Sequence, residues 1–306
     1  FRNMATLKHW IAATRFRTLP LAFAVIALGT GLAYKVSDSM DWQIFALAVC
    51  TSFAYQILSN YANDLGDGMR GTDDHRTGET RVIASGWITI PAMKRAVRLW
   101  TLLALMSGGT LVFLAFYGQV LFYVFFALNI AAVAAATSYT MGPKPYAYWG
   151  GGDFFVFLFF GLVGVLGSAA LYAPLHWSFL LPALVAGAYS AAVLTLNNLR
   201  DVDTDAKAGK RTLVVRMGKK WGRGYFKALL MIGNVLSLFF ALYWALLDGN
   251  QALLVFHILF GLLLSRVVFK AFTKAMEPME LDQLLKPMAM MTLLFCVGTA
   301  VALNVQ

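Results

Sequence analysis

Long apolar stretches recur along almost the whole chain. Nine of them are mostly apolar over about 18 or more residues, which is enough for a helix to cross a bilayer. They lie near residues 17–36, 42–63, 97–116, 119–139, 153–173, 177–198, 225–247, 250–270 and 286–304. The pattern therefore predicts an all-α integral membrane protein with nine transmembrane helices.

The composition supports a membrane protein and excludes several other classes. Hydrophobic residues make up 59% of the 306 residues and charged residues only 13%, whereas soluble domains carry about 25% charged residues. The two cysteines, Cys50 and Cys296, lie inside apolar runs, which argues against a disulfide scaffold. Residues 1–306 are predicted to form a single membrane domain, and residues 1–3, ahead of Met4, are expected to be a cloning remnant.

The basic residues are distributed very unevenly between the two sets of predicted loops. A net charge of +10 could indicate nucleic acid, but 24 of the 25 Lys and Arg residues fall in the N-terminal segment and in the loops on one side of the membrane. Only Lys35 belongs to the other side. The positive-inside rule therefore predicts a multi-pass protein of the cell (inner) membrane with a cytoplasmic N-terminus and an outside C-terminus. No nucleic-acid partner is expected.

The acidic residues are concentrated at the cytoplasmic ends of the second and sixth predicted helices. Seven of the 15 Asp and Glu residues lie there, in two short clusters. Within them Asn63 and Asp67, and likewise Asn197, Asp201 and Asp205, are spaced four apart. On a helix this spacing projects the side chains from one face.

Carboxylates stacked in this way repel one another, so a compensating positive charge is expected. Mg²⁺ is bound in proteins by one or two carboxylates together with substrate phosphates and water. Two facing clusters could thus hold metal ions that bridge to a diphosphate. The alternative is ordinary solvated loop charge, but that does not explain the same Asn-x3-Asp pattern at the ends of two helices.

At these residues the sequence resembles the UbiA superfamily of intramembrane aromatic prenyltransferases. Asn63, Asp67 and Asp73 resemble the first Asp-rich motif of that superfamily, and Asp201 and Asp205 resemble the second. The resemblance implies nine helices around a central cavity and prenyl diphosphate bound through Mg²⁺. It also implies that these five residues are the metal ligands.

Further segments resemble one branch, the 1,4-dihydroxy-2-naphthoate polyprenyltransferases of menaquinone synthesis. They are residues 15–20, 139–145, 197–201 and 209–218. Asp153 departs from the branch, which more often has Glu there. The resemblance implies transfer of a polyprenyl group from its diphosphate to an aromatic dihydroxy acid, 1,4-dihydroxy-2-naphthoate, with loss of CO₂, giving demethylmenaquinone. Other acceptors, such as 4-hydroxybenzoate or homogentisate, remain open.

Basic and aromatic residues near the two motifs are candidates for the remaining roles. A diphosphate that metal ions neutralise only partly requires additional cations and hydrogen-bond donors. Lys144 is the only basic residue in a turn rich in Gly and Pro, and Tyr139 could shield an allylic cation with its ring. We therefore predict Asp67, Asp201, Asp205, Lys144 and Tyr139 to be catalytic. The predicted substrate-binding residues are Asn63, Arg17, Arg70, Arg81, Asn198, Arg200, Lys210 and Arg211. Topology determination by Lys and Arg and an aromatic belt at the interface are the alternative explanations.

An ion-coupled transporter is the rival function from another class, since acidic residues within membranes often mark ion paths. Transporters tend to place these sites near the middle of the bilayer on broken helices. Here the acidic clusters lie at helix ends, which favours an enzyme.

Overall fold

The computed structural model describes residues 5–72, 81–275 and 277–305, and within them it contains helices and no strands. Nine helices of this described part are long and apolar enough to span a membrane, as the sequence predicts. They are α1 (Leu7–Ser37), α2 (Trp42–Arg70), α3 (Ile90–Phe116), α4 (Leu121–Ser138), α5 (Gly152–Ala170), α6 (Trp177–Arg200), α7 (Lys219–Asp248), α8 (Gln251–Lys274) and α9 (Pro278–Asn304).

Several helices extend beyond their apolar runs at the end rich in charged residues. Helix α2 continues to Arg70, α7 begins at Lys219 and α9 begins at Pro278. These extensions carry charged side chains on helical surfaces instead of in loops. The first acidic cluster is therefore held on a helix as far as Asp67.

Helix α6 lies at the centre of the bundle. It packs against α5, α7 and α9, while α1 packs against α2 and α9, and α2 packs against α3. Small residues such as Ala186, Gly187 and Ala191 are buried along α6 and allow its neighbours to approach closely. The second acidic cluster follows the end of this central helix.

Helix α1 is broken near its start. An α-helical segment, Leu7–Thr14, ends at Arg15, whose backbone is left-handed with φ 51° and ψ 63°. A short 3₁₀ turn, Phe16–Thr18, then leads into the long segment Leu19–Ser37. A non-glycine residue in this region is strained, and such strain persists only where the surroundings impose it. The break directs the Arg15 guanidinium to Asp64 on α2.

Helices α5 and α6 approach each other through two glycines. A Cβ atom at Gly161 would lie 2.7 Å from the carbonyl oxygen of Ala183 and 2.9 Å from Cα of Gly187. Residues Phe157–Leu166 of α5 form a π-helical stretch, a conformation that is often found at functional sites. One face of this stretch lines the central cavity.

Two loop regions cover the end of the bundle where α2 and α6 end. The first contains the 3₁₀ turn Tyr146–Trp149, and the second contains the short helices Val202–Lys207 and Leu213–Met217. Arg216 joins them by donating a hydrogen bond to the carbonyl oxygen of Trp149 at 2.9 Å. The loops thus bring residues from distant parts of the chain to the two acidic clusters.

Candidate active site

A cavity of about 370 Å³ opens between α1, α2, α4, α5, α6 and α9. Polar residues line it near the ends of α2 and α6, and apolar residues such as Val25, Phe159 and Val163 line it further into the membrane. The candidate residues among the lining are Arg17, Asn63, Arg81, Tyr139, Asn198, Asp201, Asp205 and Lys210. The central cavity that the resemblance implies is therefore present, with a polar end and an apolar remainder.

Lys210 connects the two acidic clusters. Its ammonium group donates to Oδ2 of Asp67 at 2.9 Å, and it is only 7% exposed. Burial alone lowers the pKa of Lys210, but the carboxylates of Asp67 and Asp205 outweigh it and hold that pKa above its usual value. Asp67 does not line the cavity itself but contacts Lys210, which does. The two motifs are therefore close enough to share one cation.

Asn63 and Asp64 organise arginines beside this cation. With its amide oriented to satisfy both neighbours, Asn63 donates to Asp67 at 3.0 Å and accepts from Arg15 at 3.2 Å. Asp64, which is 2% exposed, forms ion pairs with Arg15 and with Arg81, the latter at 2.7 Å. Two guanidinium groups on one carboxylate leave a net positive charge, which suits an anionic ligand.

Asp201 is held by its neighbour in the sequence. Arg200 donates to both carboxylate oxygens of Asp201 at 2.7 Å and also to Asp282 on α9. The Arg200 side chain is fully buried and is not part of the cavity lining. In this arrangement Arg200 fixes Asp201 and ties α6 to α9.

Tyr148 completes the contacts of Asp67. Its hydroxyl donates to Oδ1 of Asp67 at 2.9 Å, and the hydroxyl of Thr72 lies 2.6 Å from the Tyr148 hydroxyl. Burial raises the pKa of Tyr148, and the Asp67 carboxylate raises it further, so the phenol keeps its proton. The ring lies beneath two cations, with the guanidinium of Arg70 at 5.0 Å and Nζ of Lys210 at 5.6 Å.

Two other tyrosines form an aromatic wall within the cavity. Tyr139 and Tyr146 pack edge to face with ring centroids 5.2 Å apart, and both line the cavity. Phe155 stacks on Tyr146 at 4.1 Å. The faces of such rings attract cations, so the position of Tyr139 is compatible with the predicted role.

Besides Asp67 and Arg200, three of the predicted site residues do not line the cavity. Lys144 and Arg211 are exposed in loops between helices, and neither lines the cavity. Arg70 is exposed as well and donates to the carbonyl oxygens of Gly66, Thr140 and Gly142. Arg70 therefore holds the turn after α4 in place. The structure does not bring these three basic groups to the acidic residues, and Asp73 lies outside the described residues.

Sequence patterns did not single out several residues of the cavity. Asp64 follows Asn63 directly, yet only the fold shows that it binds two arginines. Tyr55 and Asn129 form a hydrogen bond of 2.7 Å across the cavity wall within the membrane. Lys286 reaches the cavity from α9. Polar residues within membrane spans are rare. Their rarity was the only feature of the sequence that could have indicated these positions.

The oxygen donors present fit Mg²⁺. Asp67 binds the Lys210 ammonium group and Asp205 interacts with it electrostatically, and Asn63 and Asn198 line the same cavity. Among the described residues, no three Asp, Glu, His or Cys side chains gather into a complete metal site. Mg²⁺ usually takes one or two carboxylates and completes its shell with substrate phosphates and water, so this donor set suits it.

Fold and site together define a helical membrane protein with a pocket of Asp, Asn, Lys and Arg side chains at one end of an apolar cavity. A model of the UbiA prenyltransferase family matches residues 22–278. The chain belongs to that family.

Curated relatives and a solved structure agree with this assignment. A 1,4-dihydroxy-2-naphthoate octaprenyltransferase of Haemophilus influenzae is 38% identical over 291 residues, which cover 94% of this chain and 93% of that protein. The protein of the same name in Escherichia coli is 41% identical over 232 residues, 75% of each chain. A UbiA homolog from Archaeoglobus fulgidus, solved with DMAPP and Mg²⁺, has a TM-score of 0.66 at 15% identity and covers 97% of this chain and 99% of its own. This likeness shows the shared fold.

Proposed function

We propose that the protein transfers a polyprenyl group from its diphosphate to 1,4-dihydroxy-2-naphthoate. The observation that carries the proposal is the meeting of Asp67, Lys210 and Asp205 at the polar end of an apolar cavity. Diphosphate requires cations and isoprenoid requires apolar walls, and this cavity offers both. The names of the relatives support the naphthoate acceptor.

Several residues of the pocket would bind the diphosphate together, through metal ions or directly. Asp67 and Asp205, with Asn63, Asp201 and Asp73 as the further candidates, would hold Mg²⁺, which when bound supplies positive charge against the departing diphosphate. Lys210, Arg81 and Arg15 add fixed positive charge beside it. Because these groups are placed before the reaction begins, they stabilise the developing negative charge without reorganisation.

The reaction needs no catalytic base, because each bond that forms is matched by one that breaks. The bond between C1 of the prenyl group and the diphosphate oxygen breaks, and the electron pair leaves with the diphosphate. The electron-rich ring then forms a bond from the carbon that carries the carboxylate to C1. Loss of CO₂ returns an electron pair to the ring and restores its aromaticity. The product is the prenylated hydroquinone, and removal of two electrons and two protons by a separate oxidant gives demethylmenaquinone.

The cavity walls protect the cation formed in this reaction. Tyr139 and Tyr146 present aromatic rings to the cavity, and the loops that carry Tyr148 and Lys210 cover its polar end. A closed site keeps water from capturing a reactive intermediate. The transferred chain would lie along the apolar residues of α1, α4 and α5.

A prenyl-transfer assay tests the proposal directly. Purified protein would be incubated with a polyprenyl diphosphate, Mg²⁺ and carboxyl-labelled 1,4-dihydroxy-2-naphthoate, with 4-hydroxybenzoate and homogentisate in parallel. We expect a prenylated naphthalenediol and labelled CO₂ in equal amounts, both abolished by EDTA. Preferential prenylation of 4-hydroxybenzoate or homogentisate would contradict the naphthoate acceptor. Ion flux in liposomes without any prenyl transfer would indicate a transporter instead.

A further inference from the structure

Lys286 is a cation within the membrane-spanning part of the chain that the reaction outlined above does not use. It lies on α9, eight residues after Pro278, or about 12 Å along the helix axis. Its side chain lines the central cavity together with Leu285 and Ala289 from the same helix. Lys286 stands at the start of the apolar run of α9 and is exposed, and a charged side chain that lines a cavity between membrane helices is a candidate for ligand binding.

The nearest acidic residue on the same helix face is already engaged. Asp282 is one turn before Lys286, at the spacing that favours an ion pair. It binds Arg200 instead, and the guanidinium of Arg17 lies 4.0 Å from the same carboxylate oxygen. Within the described part of the chain, Lys286 forms no ion pair or hydrogen bond. By contrast Lys35, in the last turn of α1, pairs with Asp248 at 2.6 Å.

The position of Lys286 relative to the acidic clusters indicates which anion it meets. Arg200 links Asp282 directly to Asp201, so the start of α9 is level with the second acidic cluster. Lys286 lies one turn, about 5.4 Å, deeper in the cavity. The diphosphate is already provided with Lys210, Arg81 and the metal-binding acids. An acceptor ring that attacks C1 must lie just beyond the diphosphate, at the level of Lys286.

We propose that Lys286 binds the carboxylate of the aromatic acceptor and that Arg17, which lines the cavity from α1, assists it. This inference rests on the proposed function, since it assumes an aromatic acid as acceptor. Lys286 is exposed on the cavity side of α9, and its ammonium group favours an acid over the same ring without one, because only the acid forms a charge-assisted hydrogen bond with it. Lys286 is then the specificity-determining residue for the acceptor.

A ligand-binding experiment tests the role of Lys286 in acceptor recognition separately from the transfer reaction. Native protein, Lys286→Met and Lys286→Arg would each be titrated with 1-hydroxy-2-naphthoate and with 1-naphthol, without prenyl diphosphate, and the quenching of tryptophan fluorescence followed. We expect the native protein and Lys286→Arg to prefer the acid. Lys286→Met should bind the acid about 10- to 100-fold more weakly and bind 1-naphthol as the native protein does. Lys270→Met, on the cytoplasmic end of α8 and outside the cavity lining, is the matched control and should behave like the native protein.

Kinetics supply a second readout. In Lys286→Met the KM for the acceptor acid should rise by a similar factor while the KM for the polyprenyl diphosphate stays within about twofold. If Lys286→Met elutes as an aggregate, Lys286→Gln serves the same comparison. An unchanged preference for the acid in a well-folded variant, or no preference in the native protein, overturns the inference. Failure of the native protein to prenylate any naphthoate would instead refute the proposed function.

Discussion

Asp67 is held by hydrogen-bond donors from several parts of the chain. Lys210 donates to one of its carboxylate oxygens and Tyr148 to the other, while Asn63 adds an amide hydrogen bond. Three donors from three regions of the chain converge on a side chain that is 1% exposed. The carboxylate is therefore fixed in direction before any metal or substrate arrives.

Replacing Asp205 by Asn should lower prenyl transfer by about two orders of magnitude or more. The substitution keeps the size of the side chain but removes one of the two charges that face Lys210. The comparison is Asp203→Asn on the same short helix, because Asp203 is exposed and pairs at the surface with Lys219 at 2.7 Å. Initial rates at limiting Mg²⁺ measure the difference. Near-native activity of Asp205→Asn would remove Asp205 from the site.

Replacing Tyr148 by Phe should reduce the turnover number by about 10- to 100-fold, because a hydrogen bond to a charged group contributes about 1.5–3 kcal/mol. The ring and its contacts with Arg70 and Lys210 are retained, so only the orientation of Asp67 is lost. A weaker apparent affinity for Mg²⁺ should accompany the loss, and more Mg²⁺ should restore part of the activity. Tyr123→Phe, at an exposed position on α4, is the control. Equal Mg²⁺ dependence of the native protein and Tyr148→Phe would contradict this role.

At the scale of helices, close packing of α5 against α6 shapes the apolar part of the cavity. Gly161 and Gly187 allow the two backbones to meet. The same approach positions Phe155 and Phe159 of α5 along the cavity. The shape of the apolar part of the site therefore depends on a contact between two residues without side chains.

Gly161→Ala should lower the midpoint of thermal unfolding in detergent, because the new Cβ atom would lie 2.7 Å from the carbonyl oxygen of Ala183. Overpacking of this kind costs about 1–3 kcal/mol. Gly167→Ala on the same helix is the matched control, since its Cβ atom would meet only a Phe125 ring atom, at 3.7 Å, and Ala is the better helix former. Equal midpoints for the two variants would show that this helix pair is not tightly packed.

The helices were predictable from the sequence because apolar length is a local property. The acidic clusters were predictable as well, since Asn63 and Asp67, and Asp201 and Asp205, follow helical spacing. The break at Arg15 was not, because a left-handed arginine has no sequence pattern and is imposed by Asp64 on another helix.

The basic residues also show what the sequence alone does not predict. A count of Lys and Arg predicts which loops share a side, but the path of each loop decides which charges enter the cavity. Lys210 enters it, whereas Lys144 and Arg211 remain exposed outside it. Lys286 was counted only as a topological charge, yet the rotation of α9 turns it into the cavity.

For the molecule as a whole, the charge asymmetry determines how the site meets its substrates. Among the described residues, Asp64, Asp67 and the second acidic cluster lie at one end of the bundle, together with both covering loops and most of the basic residues. The opposite end carries the Lys35–Asp248 ion pair and short connections such as residues 117–120 between α3 and α4. A cytoplasmic site would receive a water-soluble aromatic acid from the cytosol, while the apolar cavity receives the isoprenoid from the bilayer.

Single-cysteine labelling tests this orientation. In a variant without Cys50 and Cys296, cysteines at the exposed positions Lys207 and Lys220 should react with a membrane-impermeant maleimide only when the cytoplasmic face is accessible.

Cysteines at Ser39 and Gln119, exposed in the connections at the other end, should react from outside in intact cells, because the positive-inside rule places their loops there. A cysteine at the buried position Phe226 should remain unlabelled in both cases and serves as the control for leakage and unfolding. Labelling of Lys207→Cys from outside intact cells would reverse the topology. It would also place the diphosphate pocket on the face away from the cytosol, and the supply of a soluble acceptor from the cytosol would then be untenable.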